Sequence, residues 1–381
     1  MIPYGRQDIS AADIEAVIAV LRSDFLTQGP AVPRFEAVVA ARVRAQHALA
    51  CSSATAALHI ACLALGLGKG DRLWTVPNTF VASANCARYC DADVDFVDID
   101  LQTWNMSVPA LEAKLARARK AGTLPKVVVP VHFAGQPTQQ EHIWNLGKEF
   151  GFRVLEDASH SIGAARAGEP AGSCRWADAA VFSFHPVKIV TTAEGGMVLT
   201  NDESLAARVA MLRTHGITRE PTRLLSPAPG AWYYEQQDLG FNYRMTDVQA
   251  ALGASQMQRL DGYIERRNQL ARRYDAALQG LPLRLPVVEP GNLSAFHIYV
   301  VRLESSAERA RVFGALRERN IGVNVHYMPV HLQPYYRRLG FEPGHFPEAE
   351  AHGQTAITLP LYPTLSDQDQ DQVIRALREV L

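Results

Sequence analysis

Lys188 stands where a chain can offer a single amine to a reacting molecule. An apolar strand over 179–184 runs into Pro186, the lysine follows, and a Thr-Thr-Ala-Glu-Gly-Gly turn over 191–196 leads to a second apolar run from Met197. Apolar surroundings strip water from an ammonium and favour its neutral form, which makes Lys188 a candidate Schiff-base nucleophile. Taken alone, the stretch also fits an ordinary solvated loop lysine.

Two further stretches bear on that choice. Phe152-Arg-Val-Leu-Glu156-Asp157 reads as a buried strand ending in acid. In a mostly parallel sheet, polar groups at the carboxyl ends of neighbouring strands share one crevice. A carboxylate at Asp157 could there hold the pyridinium nitrogen of pyridoxal phosphate protonated, with Lys188 engaging its aldehyde; Asp157 equally fits as the cap of a helix opening at Ala158. Upstream, Ser53 is a good N-cap, followed by strong helix formers and stopped by Gly66. Small residues at that start would let a phosphate reach the free amides of Ala54 and Thr55, with the Thr55 hydroxyl and Ser183 as extra donors.

Ser-Ala-Thr-Ala-Ala-Leu-His at 53–59, Glu-Asp-Ala-Ser-His at 156–160, Ser-Phe-His-Pro-Val-Lys at 183–188, Gly-Phe-Asn-Tyr-Arg-Met-Thr-Asp at 240–247 and His-Tyr-Met-Pro-Val-His at 326–331 together resemble the DegT/DnrJ/StrS sugar aminotransferases over nearly the whole chain. Shorter motifs at 2–7, 24–29 and 214–217 resemble the transaminases of the pseudaminic-acid pathway within that family. The resemblance implies Lys188 and Asp157 as catalytic residues. It implies a pyridoxal 5′-phosphate site made from Ala54, Thr55, Phe80, Asp157, His160, Ser183 and Lys188. Phe80 would stack on the cofactor ring, although a core phenylalanine is the plainer reading. Many relatives carry glutamine at the place of His160, and either side chain can donate a hydrogen bond to the cofactor hydroxyl. The resemblance also implies that Asn242 reaches the phosphate across a homodimer interface, so that sites are shared. Tyr4, Asp24, Phe25, Leu26, Thr27, His326 and Tyr327 fall where relatives contact the nucleotide-sugar. No role follows for His132, read as structural, or for His185.

Bulk properties agree. The 381 residues suggest two domains. Lys+Arg 38 against Asp+Glu 39 argues against nucleic acid or an anionic membrane as partner. No apolar run reaches membrane-spanning length and the start lacks a signal peptide's pattern, so a cytoplasmic protein is expected. Five cysteines, an odd count, suit a reducing compartment and small core positions; Cys86 and Cys90 lack a second pair at metal spacing, and no metal is expected.

Periodicity predicts an amphipathic helix over 8–22, capped at Ser10, with Ile14, Val17, Ile18 and Leu21 on one face. Strands over 71–77, 94–100, 126–132, 152–157 and 179–184 alternate with helices over 108–118 and 142–150, hence repeated βαβ units. Residues 219–231, with three prolines and a glycine, form an excursion, and a helical region over 248–272 connects the domains. The second domain reads as a strand over 297–303, a helix over 307–319, a strand over 323–327 and a last helix capped at Ser366; 335–338 looks like solvated helix surface.

The expected architecture is therefore the fold-type-I transferase: residues 1–250 form a large α/β domain with a mostly parallel seven-stranded sheet, and residues 251–381 a connecting helix and a smaller α+β domain. Residues 1–30 would line the substrate site. The implied reaction moves an amino group from L-glutamate to C4 of a UDP-linked 4-keto-6-deoxy-N-acetylhexosamine. Rivals are the same chemistry on a GDP- or dTDP-linked keto sugar, a dehydrase, which would carry histidine in place of Lys188, and a non-catalytic regulatory relative. The intact Lys188, Asp157 and Ser183 argue against the last two.

Overall fold

The computed structural model describes residues 1–381. Its centre is a sheet of seven strands: β1 (His47–Cys51), β2 (Arg72–Thr75), β3 (Asp93–Phe96), β4 (Val127–Val128), β5 (Arg153–Asp157), β6 (Ala179–Ser183) and β7 (Gly196–Thr200). They lie in the order β1-β7-β6-β5-β4-β2-β3. Only β7 runs against its neighbours, pairing antiparallel with β1 and β6, while β6, β5, β4, β2 and β3 are parallel. The mostly apolar β6 and β7 carry every residue buried, as strands covered on both faces must be. Alternate residues enter two separate cores: Val181 and Val198 join one, Phe182, Met197 and Leu199 the other.

The first core is closed by α3 (Ala54–Ala64), α4 (Ala82–Tyr89), α5 (Val108–Ala121), α6 (Gln140–Phe150) and α7 (Glu203–Leu212). The second is closed by α2 (Ala31–Val43), α8 (Asp247–Met257) and the first half of α9 (Leu260–Leu278). The second half of α9 enters a third core, around the sheet of Leu283–Arg284, Tyr299–Leu303 and Ala356–Leu359 and the terminal helix Asp367–Val380. Ser366 caps that helix, and Val373, Ile374 and Leu377 are buried.

The amino-terminal helix α1 (Ala11–Leu21) begins at the Ser10 capping box rather than at residue 8. Its inward group is Asp13, wholly buried and bonded to Arg259 at 2.6 Å, Ser255 at 2.6 Å and Gln256 at 2.8 Å. Ile14 and Leu21, expected inside, are 51% and 56% exposed. The polar anchor to α8 and α9, not the apolar stripe, sets the rotation of α1.

Other expectations are corrected. No helix opens at Ala158; Asp157 ends β5 and its Oδ1 accepts from the Ser159 amide in a turn. The strands expected over 94–100 and 126–132 shorten to β3 and β4, and the connecting helix is two, broken between Met257 and Leu260. Residues 323–327 are not a strand: Asn324 makes one bridge to Thr358, and then the Tyr327 and Val330 amides turn away to Asn78 and Pro77 of the loop after β2. Ala356–Leu359 takes the sheet position instead. Tyr336, read as solvated surface, is 2% exposed and donates to Asn85 at 2.6 Å.

Candidate active site

The carboxyl ends of β5 and β6 open into one crevice. Asp157 ends β5 opposite Val181, and Ser183 ends β6 opposite Gly196. Because β7 runs the other way, Gly196 at its start also pairs with Cys51 at the end of β1. Three strand termini thus converge on the α3 N-terminus. A Cβ on Gly196 would lie 2.4 Å from the Ser53 carbonyl and 2.5 Å from the Ala54 nitrogen, so only glycine permits this approach. The Ser53 side chain accepts from the Ala56 amide at 3.1 Å, and the first turn of the helix points its remaining amides outward.

Asp157 is 5% exposed, and both its oxygens are held. Ser83 Oγ donates to Oδ2 at 2.6 Å, itself paired with Thr79 Oγ1 at 2.7 Å, and the Ser159 amide donates to Oδ1 at 3.1 Å. Donors on both oxygens fix the carboxylate's orientation. Lys188 lies within electrostatic reach; loss of hydration lowers its ammonium from 10.5 to about 8, and Asp157 opposes the fall. A fraction of neutral amine is therefore present at neutral pH.

Around this pair stand three histidines and two tyrosines. His160 shares a hydrogen bond with the Tyr327 hydroxyl at 3.2 Å, and its ring lies 4.4 Å from that of His297. Burial holds His160 and His297 well below the usual imidazole range, helped by the Lys188 charge, and takes His326 down to about 3. All three are neutral. Burial, then Asp157, pushes the Tyr327 phenol upward, so it keeps its proton. Tyr4 is delivered from the amino terminus: Ile2 pairs with Ile321, Tyr4 accepts from the Leu361 amide, and its ring is 5.6 Å from His326. A Cβ on Gly322 would meet the Ile2 carbonyl at 2.8 Å, so this path also depends on a glycine. Phe80 is 57% exposed at the mouth, 6.4 Å from the Tyr327 ring.

The crevice therefore gathers Lys188, Asp157, His160, His326, Tyr327, Tyr4 and Phe80, with Ser183, Ala54 and Thr55 on its adjoining wall. It does not gather Asp24, Phe25, Leu26, Thr27 or Asn242, which are exposed and have their contacts elsewhere. There Thr27 pairs with Thr246, the Asp247 amide donates to the Leu26 carbonyl, and Asn242 pairs with Thr214. His132 is structural: buried, it accepts from the Thr138 amide at 3.1 Å. His185 points to solvent near Glu194. Sequence reading missed Ser83 and His297. The Thr79/Ser83 pair, four apart beside an apolar helix start, was the available signal for the first; nothing local marks His297.

The chemistry fits an aromatic, phosphate-bearing aldehyde. The Nδ1 atoms of His160 and His297 are buried without partners, and Gly196 lets its strand close on the Ser53 carbonyl and the Ala54 nitrogen at the α3 start. The model of the DegT/DnrJ/EryC1/StrS aminotransferase family matches residues 7–378. The chain belongs to this family. It is 39% identical over 386 residues to the spore coat polysaccharide biosynthesis protein SpsC of Bacillus subtilis, covering 100% of this chain and 97% of that one. Among solved structures, the putative sugar aminotransferase Spr1654 of Streptococcus pneumoniae in its PMP form aligns with TM-score 0.90 and 29% identity, covering 100% and 99%. PseC of Helicobacter pylori, an aminotransferase involved in the biosynthesis of pseudaminic acid, aligns with TM-score 0.90 and 27% identity, covering 100% and 98%. The protein is thus a sugar aminotransferase of the DegT/DnrJ/EryC1/StrS family, its sheet is that of the fold-type-I transferases, and its cofactor is pyridoxal 5′-phosphate.

Proposed function

We propose that this aminotransferase moves the amino group of L-glutamate to C4 of a UDP-linked 4-keto-6-deoxy-N-acetylhexosamine, a step of pseudaminic acid biosynthesis. The observation that carries the reading is the meeting of Lys188, Asp157, His160 and Tyr327 with Tyr4 of the amino-terminal segment, supported by the likeness to PseC. Bound pyridoxal phosphate supplies an electron sink for the charge left when a proton leaves carbon.

The chain's own residues do the rest. Lys188 Nζ takes a proton from the donor's α carbon and returns one at C4 of the sugar; an amine poised at about 8 can do both. Asp157 would pair with the protonated ring nitrogen. The amides of Ala54 and Thr55, with the Thr55 and Ser183 hydroxyls, would hold the phosphate. His160 would donate to the ring oxygen, and Phe80 would cover the ring face. Tyr4, His326 and Tyr327 would receive the sugar. Asp24, Phe25, Leu26 and Thr27, together with Asn242, would serve the site of the other chain in a homodimer. We keep residues 1–250 and 251–381 as the two domains, and the cytoplasm as the compartment; no helix is long and apolar enough to cross a membrane.

A second reading keeps the chemistry and changes the acceptor to a GDP- or dTDP-linked 4-keto-6-deoxyhexose. The greater identity to SpsC, whose name assigns it to a polysaccharide, favours it. The experiment is incubation with L-glutamate and a panel of UDP-, GDP- and dTDP-linked 4-keto sugars, with amino products identified by NMR. Amination of the UDP-linked N-acetyl sugar alone is expected. Turnover restricted to a GDP or dTDP sugar overturns the first reading in favour of the second.

A further inference from the structure

β3 is one of the two edges of the seven-stranded sheet, and an unpaired edge needs covering or charge. Here the carboxyl-terminal arm crosses it, packing Tyr336, Phe341 and Phe346 around Phe96 with ring centroids 5.8, 5.1 and 5.7 Å away. Between arm and strand lies a trough of about 660 Å³, which continues past Asp95 and Lys114 into a second hollow of about 470 Å³. Arg72, Asp95, Lys114 and Arg117 line both. The trough faces the amino ends of β2 and β3, away from the Lys188 crevice at their carboxyl ends.

Its carboxylates are committed, and two of its four basic side chains are not. Asp95 holds Lys114 at 2.7 Å, and Asp93 holds Arg88 at 3.4 Å. Lys114 also donates to the Phe96 carbonyl and lies 4.8 Å from the centre of the Trp74 ring. Arg72 and Arg117 have no carboxylate within ion-pair distance. Trp74, 2% exposed on the wall of the second hollow, has its Nε1–H unpartnered, and so does the Arg88 Nε–H. Of the cations lining the trough, Arg72 and Arg117 are therefore the two left free for an anionic ligand. Burial pushes the Lys114 ammonium down, against the pull of Asp95.

We propose that this trough binds a small molecule carrying a diphosphate, of the nucleoside diphosphate class. The phosphates sit between Arg72 and Arg117, whose planar guanidinium groups suit paired phosphate oxygens, and the base lies against the Leu339–Phe346 wall. The volume suits a ligand of that size.

The test is calorimetric titration of the holoenzyme with inorganic pyrophosphate and, separately, with UDP, for the parent and for Arg72→Gln/Arg117→Gln. Thermal melts and turnover without added ligand check that the variant is folded and active. Pyrophosphate is expected to bind the parent and to bind the double variant at least about tenfold more weakly, with turnover unchanged. UDP is expected to show two classes of site per chain in the parent and one in the variant. Equal pyrophosphate affinity in both proteins, or none in the parent, overturns the proposal. If only the nucleotide-sugar reading fails, UDP loses its class at the Lys188 crevice while the pyrophosphate result stands.

Discussion

Lys188→Met should make the cofactor-free protein more stable at pH 7. In the folded chain the ammonium is lowered from 10.5 to about 8, chiefly by burial and against the attraction of Asp157. At ~1.4 kcal/mol per pH unit that difference amounts to about 3 kcal/mol, and because Lys188 keeps some contact with water we expect about 2–3 kcal/mol from removing the charge. Methionine keeps the length and loses the charge. The sign depends on pH. Below 8 the amine is protonated in both states and the full penalty applies. Between 8 and 10.5 the folded chain has released a proton that the unfolded chain still holds, so the parent gains stability as pH rises, and above 10.5 the penalty is gone. Urea unfolding of both proteins at pH 7 and pH 10 measures this, with the advantage expected to shrink below about 1 kcal/mol at pH 10. A variant no more stable than the parent at pH 7, or a gain equal at both values, refutes the argument that an uncompensated charge is stored at Lys188.

Asp13 gives the opposite acid-side signature. Burial alone would raise its carboxyl, but bonds from Arg259, Ser255 and the Ser10 amide outweigh that and hold it at about 2, below the ordinary 3.8. Its contribution, about 2 kcal/mol, is present above pH 4 and lost as pH falls toward 2, so Asp13→Asn should lower the melting temperature at pH 7 and flatten the pH dependence between 4 and 2. Asp157→Asn should retain cofactor and lose about a hundredfold or more in kcat, while Ser83→Ala, which removes one oriented bond, should cost about tenfold; full activity in Asp157→Asn would remove the ring-nitrogen argument. Gly196→Ala should weaken cofactor binding at least about tenfold in equilibrium dialysis, because its methyl meets Ser53 and Ala54 at the helix start.

Much of this site is local and therefore legible. The Lys188 strand and turn, the acid at the end of β5 and the Ser53 cap are each written within about ten residues, where side-chain period, cap chemistry and glycine act on their own neighbours. The partners that complete the site are not. Ser83 reaches Asp157 across 74 residues, and His297 comes from beyond α9, where its own surroundings look like any strand start. The failures have the same origin. Residues 323–327 have strand composition, yet the Tyr327 and Val330 amides are claimed by Asn78 and Pro77. Ile14 and Leu21 have a buried helix pattern, yet Asp13 turns them outward.

That outward face bears on how many chains make one active site. Phe25 and Leu26 are each 52% exposed, Ile14 and Leu21 are exposed as well, and Thr27 is tied to Thr246. Apolar residues exposed together invite association. Asp247 anchors the segment by accepting from the Gly29 amide at 2.8 Å and the Ala31 amide at 2.7 Å. In a two-fold dimer the same face would meet its copy and bring Asn242 to the other chain's crevice. Lys188→Ala and Asn242→Ala chains, each inactive alone, should then complement when unfolded together and refolded. Half of the dimers formed at random are mixed and each holds one intact site of two, so about one quarter of parental activity should return. No recovery in refolded mixtures that contain mixed dimers, shown by two different affinity tags, would mean that each chain builds its site alone.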